Sequence, residues 1–333
     1  MGTEAGTLLL LAASGFFQAA YALPVKHLRS WRWEQMWIAQ SVTANVLFPL
    51  VWAAVVPAAF WDQAARLPWS HWAASYGWGL IWGLGGVAWG LAMTGLGIAF
   101  ANSFVFGVTT LTGAVLPVVI EYVNRPPRPW LFAAGLGLCL AGTALAGISR
   151  RSGQQKPLLP LPFSLFSYRR IVAVAVFAGL TTSSYGLALT FGFGAIRDMV
   201  AGGISPLSAS LVVVLPLYLG AASISIPVGL LVAARAGTLR LLLGKFTGWN
   251  WSLALLMGVC AMATAVLYGF AISRAGHPSP NVSFGIFISF LVLGGAGLGV
   301  ATGEMRGATA GAKAGLFLGA CGLVAGAWLL NLR

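Results

Sequence analysis

Charged residues are scarce in this sequence. Only 8% of its 333 residues are Asp, Glu, Lys or Arg, while 59% are hydrophobic; soluble domains carry about 25% charge. A soluble fold of this length would lack the charge to cover its surface, and a disordered chain would not carry so much apolar surface. Acids are scarcer still, six against nineteen Lys and Arg. They form no cluster with histidine or cysteine that could bind a metal, so neither a metal nor another cofactor is expected. The sequence also lacks H-E-x-x-H, G-x-S-x-G and a Walker loop. No charged stretch is long enough to build a nucleotide-binding domain, which argues against an ATP-driven pump and against an enzyme. Cysteine is rare too. Cys139, Cys260 and Cys321 lie in apolar runs without a C-x-x-C and are expected to be small buried hydrophobes.

What is abundant is apolar sequence. Stretches free of Asp, Glu, Lys and Arg cover 5–25, 35–61, 67–120, 129–149, 171–196, 199–234, 246–273, 275–303 and 314–332. A membrane-crossing helix needs about 20 apolar residues. Eight of these stretches hold one helix each, and 67–120 must fold back once, most naturally at Met93-Thr94-Gly95-Leu96-Gly97. The expectation is an all-α integral membrane protein of ten transmembrane helices. In the long 199–234 run the helix should start near Pro206 and be kinked by the prolines that follow. The first run lacks the basic flank of a cleavable signal peptide.

The net charge of +13 then reads as loop bias, not as a nucleic-acid footprint. With ten helices, Arg66, Arg125, Arg128, Arg197, Arg274 and Arg333 share the N-terminal side, and the other thirteen basic residues lie opposite. Basic loops stay in the cytoplasm. Both termini are therefore expected outside and the 149–170 loop inside, in the plasma (inner) membrane.

The chain also repeats. Gly15-Phe-Phe-Gln-Ala-Ala-Tyr21-Ala-Leu23 aligns with Gly179-Leu-Thr-Thr-Ser-Ser-Tyr185-Gly-Leu187, where a five-plus-five division would place a match. Residues 1–148 and 169–333 form the two halves, and 149–168 is a basic linker. Five spans per half is an odd number, so the second copy must insert upside down. Inverted repeats are a transporter device in which two halves move about a central site.

Polar side chains inside a bilayer mark such sites. Ser14, Gln18 and Tyr21 share one helical face; so do Asn102, Phe106, Thr110, Gly113, Pro117 and Glu121. Trp82 and Trp89, seven apart, fall on one side of their helix, and Tyr185 and Tyr268 add hydroxyls elsewhere. Neutral hydroxyls and amides beside aromatic faces suit an uncharged polyhydroxylated ligand. Gln18, Tyr21, Trp82, Trp89, Asn102, Thr110, Tyr185 and Tyr268 are the candidate binding residues. Trp31, Trp33, Trp37, Trp69 and Trp72 lie nearer span ends and read as interfacial anchors. For ion coupling, Glu121 is the first candidate because it continues a polar helical face. Glu34, in the first turn of the second helix, is the next, though its charge would also complement the helix dipole.

The stretch Tyr21-Ala-Leu-Pro-Val-Lys-His-Leu-Arg-Ser-Trp31-Arg-Trp33-Glu34-Gln-Met36-Trp37 resembles the signature after the first helix of the L-rhamnose–proton symporter family. Trp82-Gly83-Leu-Gly85-Gly-Val-Ala-Trp89-Gly90-Leu-Ala-Met93-Thr94 is similar to that family's third helix. The resemblance covers the whole chain in layout and is specific over about residues 14–117. It implies the drug/metabolite transporter superfamily and its ten helices in two inverted five-helix repeats. It further implies import of L-rhamnose or a related deoxy sugar with a proton, by alternating access, in a monomer or homodimer surrounded by lipid. An exporter or exchanger of another small metabolite would use the same scaffold, and a membrane sugar sensor would need only the binding half of the activity.

Overall fold

The computed structural model describes residues 2–121, 129–151, 159–160, 168–273 and 280–331, and every regular element among them is helical. Helix α1 spans Gly2–Ala20 and ends in a 3-10 turn at Leu23–His27. Helix α2 (Trp33–Val42) passes through a widened turn at Thr43–Leu47 into α3 (Phe48–Val55). A short α4 (Ala58–Ala64) leads to the long α5 (Trp69–Leu96), followed by α6 (Ile98–Glu121) and α7 (Pro129–Arg151). Helices α8 (Tyr168–Thr182) and α9 (Ser184–Ala201) are two parts of one span, interrupted at Ser183. Then come α10 (Pro206–Ala209), α11 (Leu211–Arg235), α12 (Thr247–Ser273), α13 (Pro280–Ala301) and α14 (Ala310–Asn331).

Eight segments are long and apolar enough to cross a bilayer, from Ala5–His27 to Ala310–Leu329. The protein is therefore a multi-pass membrane protein. Helices α6 and α7 contribute shorter apolar stretches, Ile98–Thr112 and Ala133–Leu145. The fold-back expected at Met93–Gly97 is made by one residue. Helix α5 runs through Leu96, Gly97 takes φ 89°, and α6 begins at Ile98. A positive φ is open to glycine and strained for almost any other residue. The reversal leaves the first amides of α6 without helical partners. Glu304 Oε2 accepts one of them, Ala99 N–H, at 2.8 Å, while Glu304 Oε1 pairs with Lys26 Nζ at 2.8 Å. The helix expected to start near Pro206 does start there, and Pro216 and Pro227 lie inside α11.

Small residues let the helices meet. Between α5 and α11 a Cβ at Gly79 would collide with the Leu217 carbonyl, and one at Gly220 with the Tyr76 carbonyl. Between α7 and α14, a Cβ at Gly142 would lie 2.6 Å from the Gly319 carbonyl oxygen. Lipid tails are as apolar as leucine, so close van der Waals packing of this kind drives helix association in membranes. The run of glycines after residue 294 divides its roles: Gly295 and Gly299 face Asn102 and Ala99, whereas Gly303 and Gly307 form a turn at positive φ.

Two expectations are corrected. Cys139 and Cys260 are buried, but Cys321 is exposed, because it lies on the outward side of α14. Trp31, Trp33 and Trp37 are not interfacial anchors: they are 4%, 1% and 2% exposed. Helix α2 packs against α5, α11 and α12, so these tryptophans point inward. Trp33 and Trp37 stack at 5.8 Å, and Trp31 Nε1 donates to the Leu241 carbonyl at 2.9 Å. Trp69, by contrast, is 80% exposed.

Candidate functional site

Helices from both ends of the chain surround one cavity of about 90 Å³. One water needs roughly 10–15 Å³ by this measure, so the space holds roughly six to nine water-sized groups.

The wall is aromatic. Trp82 lies 4.9 Å from Tyr218 and 5.2 Å from Tyr185, and Trp89 lies 5.7 Å from Tyr21. Phe106, Phe284, Phe287 and Trp37 complete the lining. Glycine makes this close assembly possible. At Gly90 a Cβ would strike the Trp37 indole, and at Gly186 it would lie 2.9 Å from the Phe284 ring.

The polar groups fall into two sets. Some are held by the protein: Tyr21 Oη donates to Gln40 Oε1, and Gln40 Nε2 to Ser41 Oγ at 3.0 Å. Thr264 Oγ1 donates to the Cys260 carbonyl at 2.9 Å. Trp89 Nε1 donates to Asn102 Oδ1 at 3.2 Å. Others are free. The lining residues Gln18, Asn45 and Ser225 make no side-chain hydrogen bond among the described residues. Trp37 Nε1 and Thr182 Oγ1 are buried without a partner among the described residues. Buried polar groups are normally satisfied, so this set is ready for a ligand rich in hydroxyls.

Five of the eight expected binding residues line the cavity: Gln18, Tyr21, Trp82, Trp89 and Tyr185. The other three stand behind it. Asn102 orients Trp89, Thr110 Oγ1 donates to the Phe106 carbonyl at 2.9 Å, and Tyr268 packs 6.4 Å from Tyr185. Missing from the sequence reading were Trp37, Gln40 and Asn45 on the second span. The signal was present, since Gln40, Ser41, Thr43 and Asn45 interrupt an otherwise apolar stretch at membrane depth.

Of the two expected coupling acids, Glu121 closes α6 and its side chain lies outside the described residues. Glu34 is fully buried. Its Oε1 accepts from Thr238 Oγ1 at 2.8 Å and lies 3.5 Å from Arg32 Nε, while Oε2 has no partner among the described residues. Thr238 Oγ1 also accepts from Gln35 Nε2 at 2.9 Å. Gln35 Oε1 in turn takes the Arg32 backbone N–H at 3.0 Å, which caps the start of α2.

The family described as L-rhamnose-proton symport protein (RhaT) matches residues 6–332. The chain belongs to that family. Its members are transporters, not enzymes. L-rhamnose-proton symporters of Escherichia coli O1:K1 / APEC and of Escherichia coli strain K12 / DH10B are each 23% identical over 300 residues, 87% of this chain and 86% of theirs. The symporter of Shigella boydii serotype 18 matches equally. A solved crystal structure of a protein at 16% identity superposes with a TM-score of 0.56, covering 98% of both chains. At that identity the likeness concerns the fold alone. For a chain of this family, the shared aromatic cavity is the natural place to look for the transported molecule.

Proposed function

We propose that the protein imports a monosaccharide, L-rhamnose or a related deoxy sugar, by proton symport through alternating access. The observation that carries this reading is the free polar set in an aromatic-walled cavity. Neutral amides and hydroxyls suit sugar hydroxyls, and the C–H face of a pyranose stacks on indole and phenol rings. The symporter relatives, so described, support the substrate class.

The ten-helix inverted repeat of the drug/metabolite superfamily is the scaffold of the proposal, with halves 1–148 and 169–333 about the 149–168 linker. The packing of the helices supports it. Advancing each span by five turns one set of contacts into another: α1 against α13 becomes α8 against α6, α5 against α8 becomes α12 against α1, and α13 against α14 becomes α6 against α7. The cavity follows the same rule. Tyr21 and Tyr185, which the repeat pairs, both line it, as do Gln18 and Thr182, whereas no described residue of α7 or α14 does.

Gln18, Tyr21, Trp82, Trp89 and Tyr185 contact the sugar in this reading, with Asn102, Thr110 and Tyr268 positioning them. Glu121 or Glu34 carries the proton. The termini face outward, the 149–170 loop is cytoplasmic, and the protein works as a monomer or homodimer in lipid without nucleic acid. The deciding experiment is uptake of labelled L-rhamnose and other monosaccharides into proteoliposomes under an imposed pH gradient. Gradient-driven accumulation is expected. Gradient-independent exchange would identify an exchanger, and binding without flux a sensor; either result overturns the proposal.

A further inference from the structure

The second span contains the one widened helical turn among the described residues. Phe48 N–H bonds the Thr43 carbonyl, an i→i+5 closure, at the centre of Thr43–Leu47. Pro49 explains it locally. An α-helix would satisfy the Asn45 carbonyl with the N–H of residue 49, and proline has none. The wide turn also has a built seat. Thr43 Oγ1 donates to the Ala254 carbonyl at 2.8 Å, and one turn further along α12 a Cβ on Gly258 would lie 2.7 Å from the Phe48 ring.

The consequence is a change of helical face. On a regular α-helix Trp37, Gln40, Ala44 and Phe48 would share one side, and Asn45 would stand about 140° from Gln40. Instead Trp37, Gln40, Ala44 and Asn45 line the cavity while Phe48 packs against α12. Single turns of this kind recur at functional sites. Of the two amides by which the second span lines the cavity, Gln40 is already engaged by Tyr21 and Ser41. Asn45, 7% exposed, makes no side-chain hydrogen bond among the described residues.

We infer that the Pro49-held wide turn is a specificity device, and that the Asn45 amide it delivers recognises one ring hydroxyl of the sugar. This rests on the sugar-transport reading above and deepens it. A site built to hydrogen-bond a hydroxyl rejects analogues lacking that hydroxyl, because its own group is then left unpaired. The carboxamide can donate and accept to adjacent oxygens, so it reads stereochemistry where the aromatic walls read only shape.

The test is equilibrium binding of L-rhamnose and a set of monodeoxy analogues, each missing one ring hydroxyl, to detergent-purified protein. Wild type, Asn45→Ala and Pro49→Ala are compared, with thermal melts to verify folding. In wild type one analogue should bind about tenfold more weakly than L-rhamnose. Asn45→Ala should weaken L-rhamnose by a similar factor and abolish the distinction for that analogue alone. Pro49→Ala, which restores the missing amide, should lose the same distinction. The double variant should be no worse than Asn45→Ala. If wild type binds none of these sugars, the transport reading falls and this inference with it. If wild type binds but Asn45→Ala keeps every distinction, Asn45 is not the reader. If Asn45→Ala behaves as expected and folded Pro49→Ala discriminates like wild type, the turn is not the device.

Discussion

Replacing Trp89 by alanine separates the two jobs that its indole performs. The ring is 6% exposed, sits 5.7 Å from Tyr21 and 6.5 Å from Phe106, and donates from Nε1 to Asn102. Truncating a buried tryptophan costs about 3–5 kcal/mol of stability. Part of that loss here is the Asn102 carboxamide, whose Nδ2 already lacks a partner and whose Oδ1 would lose its donor. Loss of the aromatic contact with a bound sugar adds about 1–3 kcal/mol to binding, a roughly 5- to 150-fold rise in Kd.

Trp89→Phe keeps an aromatic wall but not the N–H. It should therefore retain most of the affinity while losing about 1 kcal/mol of stability through the unpaired Asn102. Isothermal titration with L-rhamnose and thermal unfolding in the same detergent measure both quantities. An unchanged Kd in folded Trp89→Ala would refute the assignment of this wall to the sugar. Equal losses of affinity in the Phe and Ala variants would show that the N–H, not the ring face, matters.

Other perturbations should behave differently because their partners differ. Gln18→Ala should weaken L-rhamnose by about 1–3 kcal/mol yet leave the melting temperature unchanged, since its amide has no partner among the described residues to orphan; a lower melting temperature would contradict the free amide. Glu34→Gln should abolish accumulation driven by a pH gradient in proteoliposomes while preserving sugar exchange at equal pH. If accumulation survives there but fails in Glu121→Gln, the coupling acid is Glu121. Gly79→Ala should lower stability by about 1–3 kcal/mol or more, because its Cβ meets the rigid Leu217 carbonyl; an unchanged melting temperature would show that α5 and α11 can move apart freely.

The multi-pass helical character and the fold-back at Gly97 were readable because hydropathy and charge spacing reflect the cost of burying charge in lipid, which acts residue by residue. Tyr21 and Tyr185 were readable for a related reason. Each is a polar side chain inside an apolar stretch and now lines the cavity, and depth is what the sequence records. Rotation about the helix axis is recorded far less well. Trp31, Trp33 and Trp37 lie near a span end, and at that depth tryptophan usually meets the headgroups. Only packing against helices distant in the chain, α5, α11 and α12, turns these rings inward. Cys321 failed in the opposite sense, since an apolar run does not distinguish a lipid-facing thiol from a buried one.

The second span concentrates what periodicity could not reach. A fixed step of 100° per residue assigns faces correctly only while the helix stays regular. Past the wide turn every residue of that span is displaced, so Phe48 falls where periodicity would not put it and Asn45 enters the cavity. The local sequence did contain the cause, a proline four residues after a polar side chain. Yet a proline inside a helix can equally kink it, end it or widen a turn. Which of these occurs depends on the space across the interface, here supplied by Gly258 on α12. The cavity therefore follows from two separate features of the chain. Depth comes from composition along each span. The side that each residue presents comes from small residues on the opposing helix, and that second feature becomes legible only once the helices are assembled.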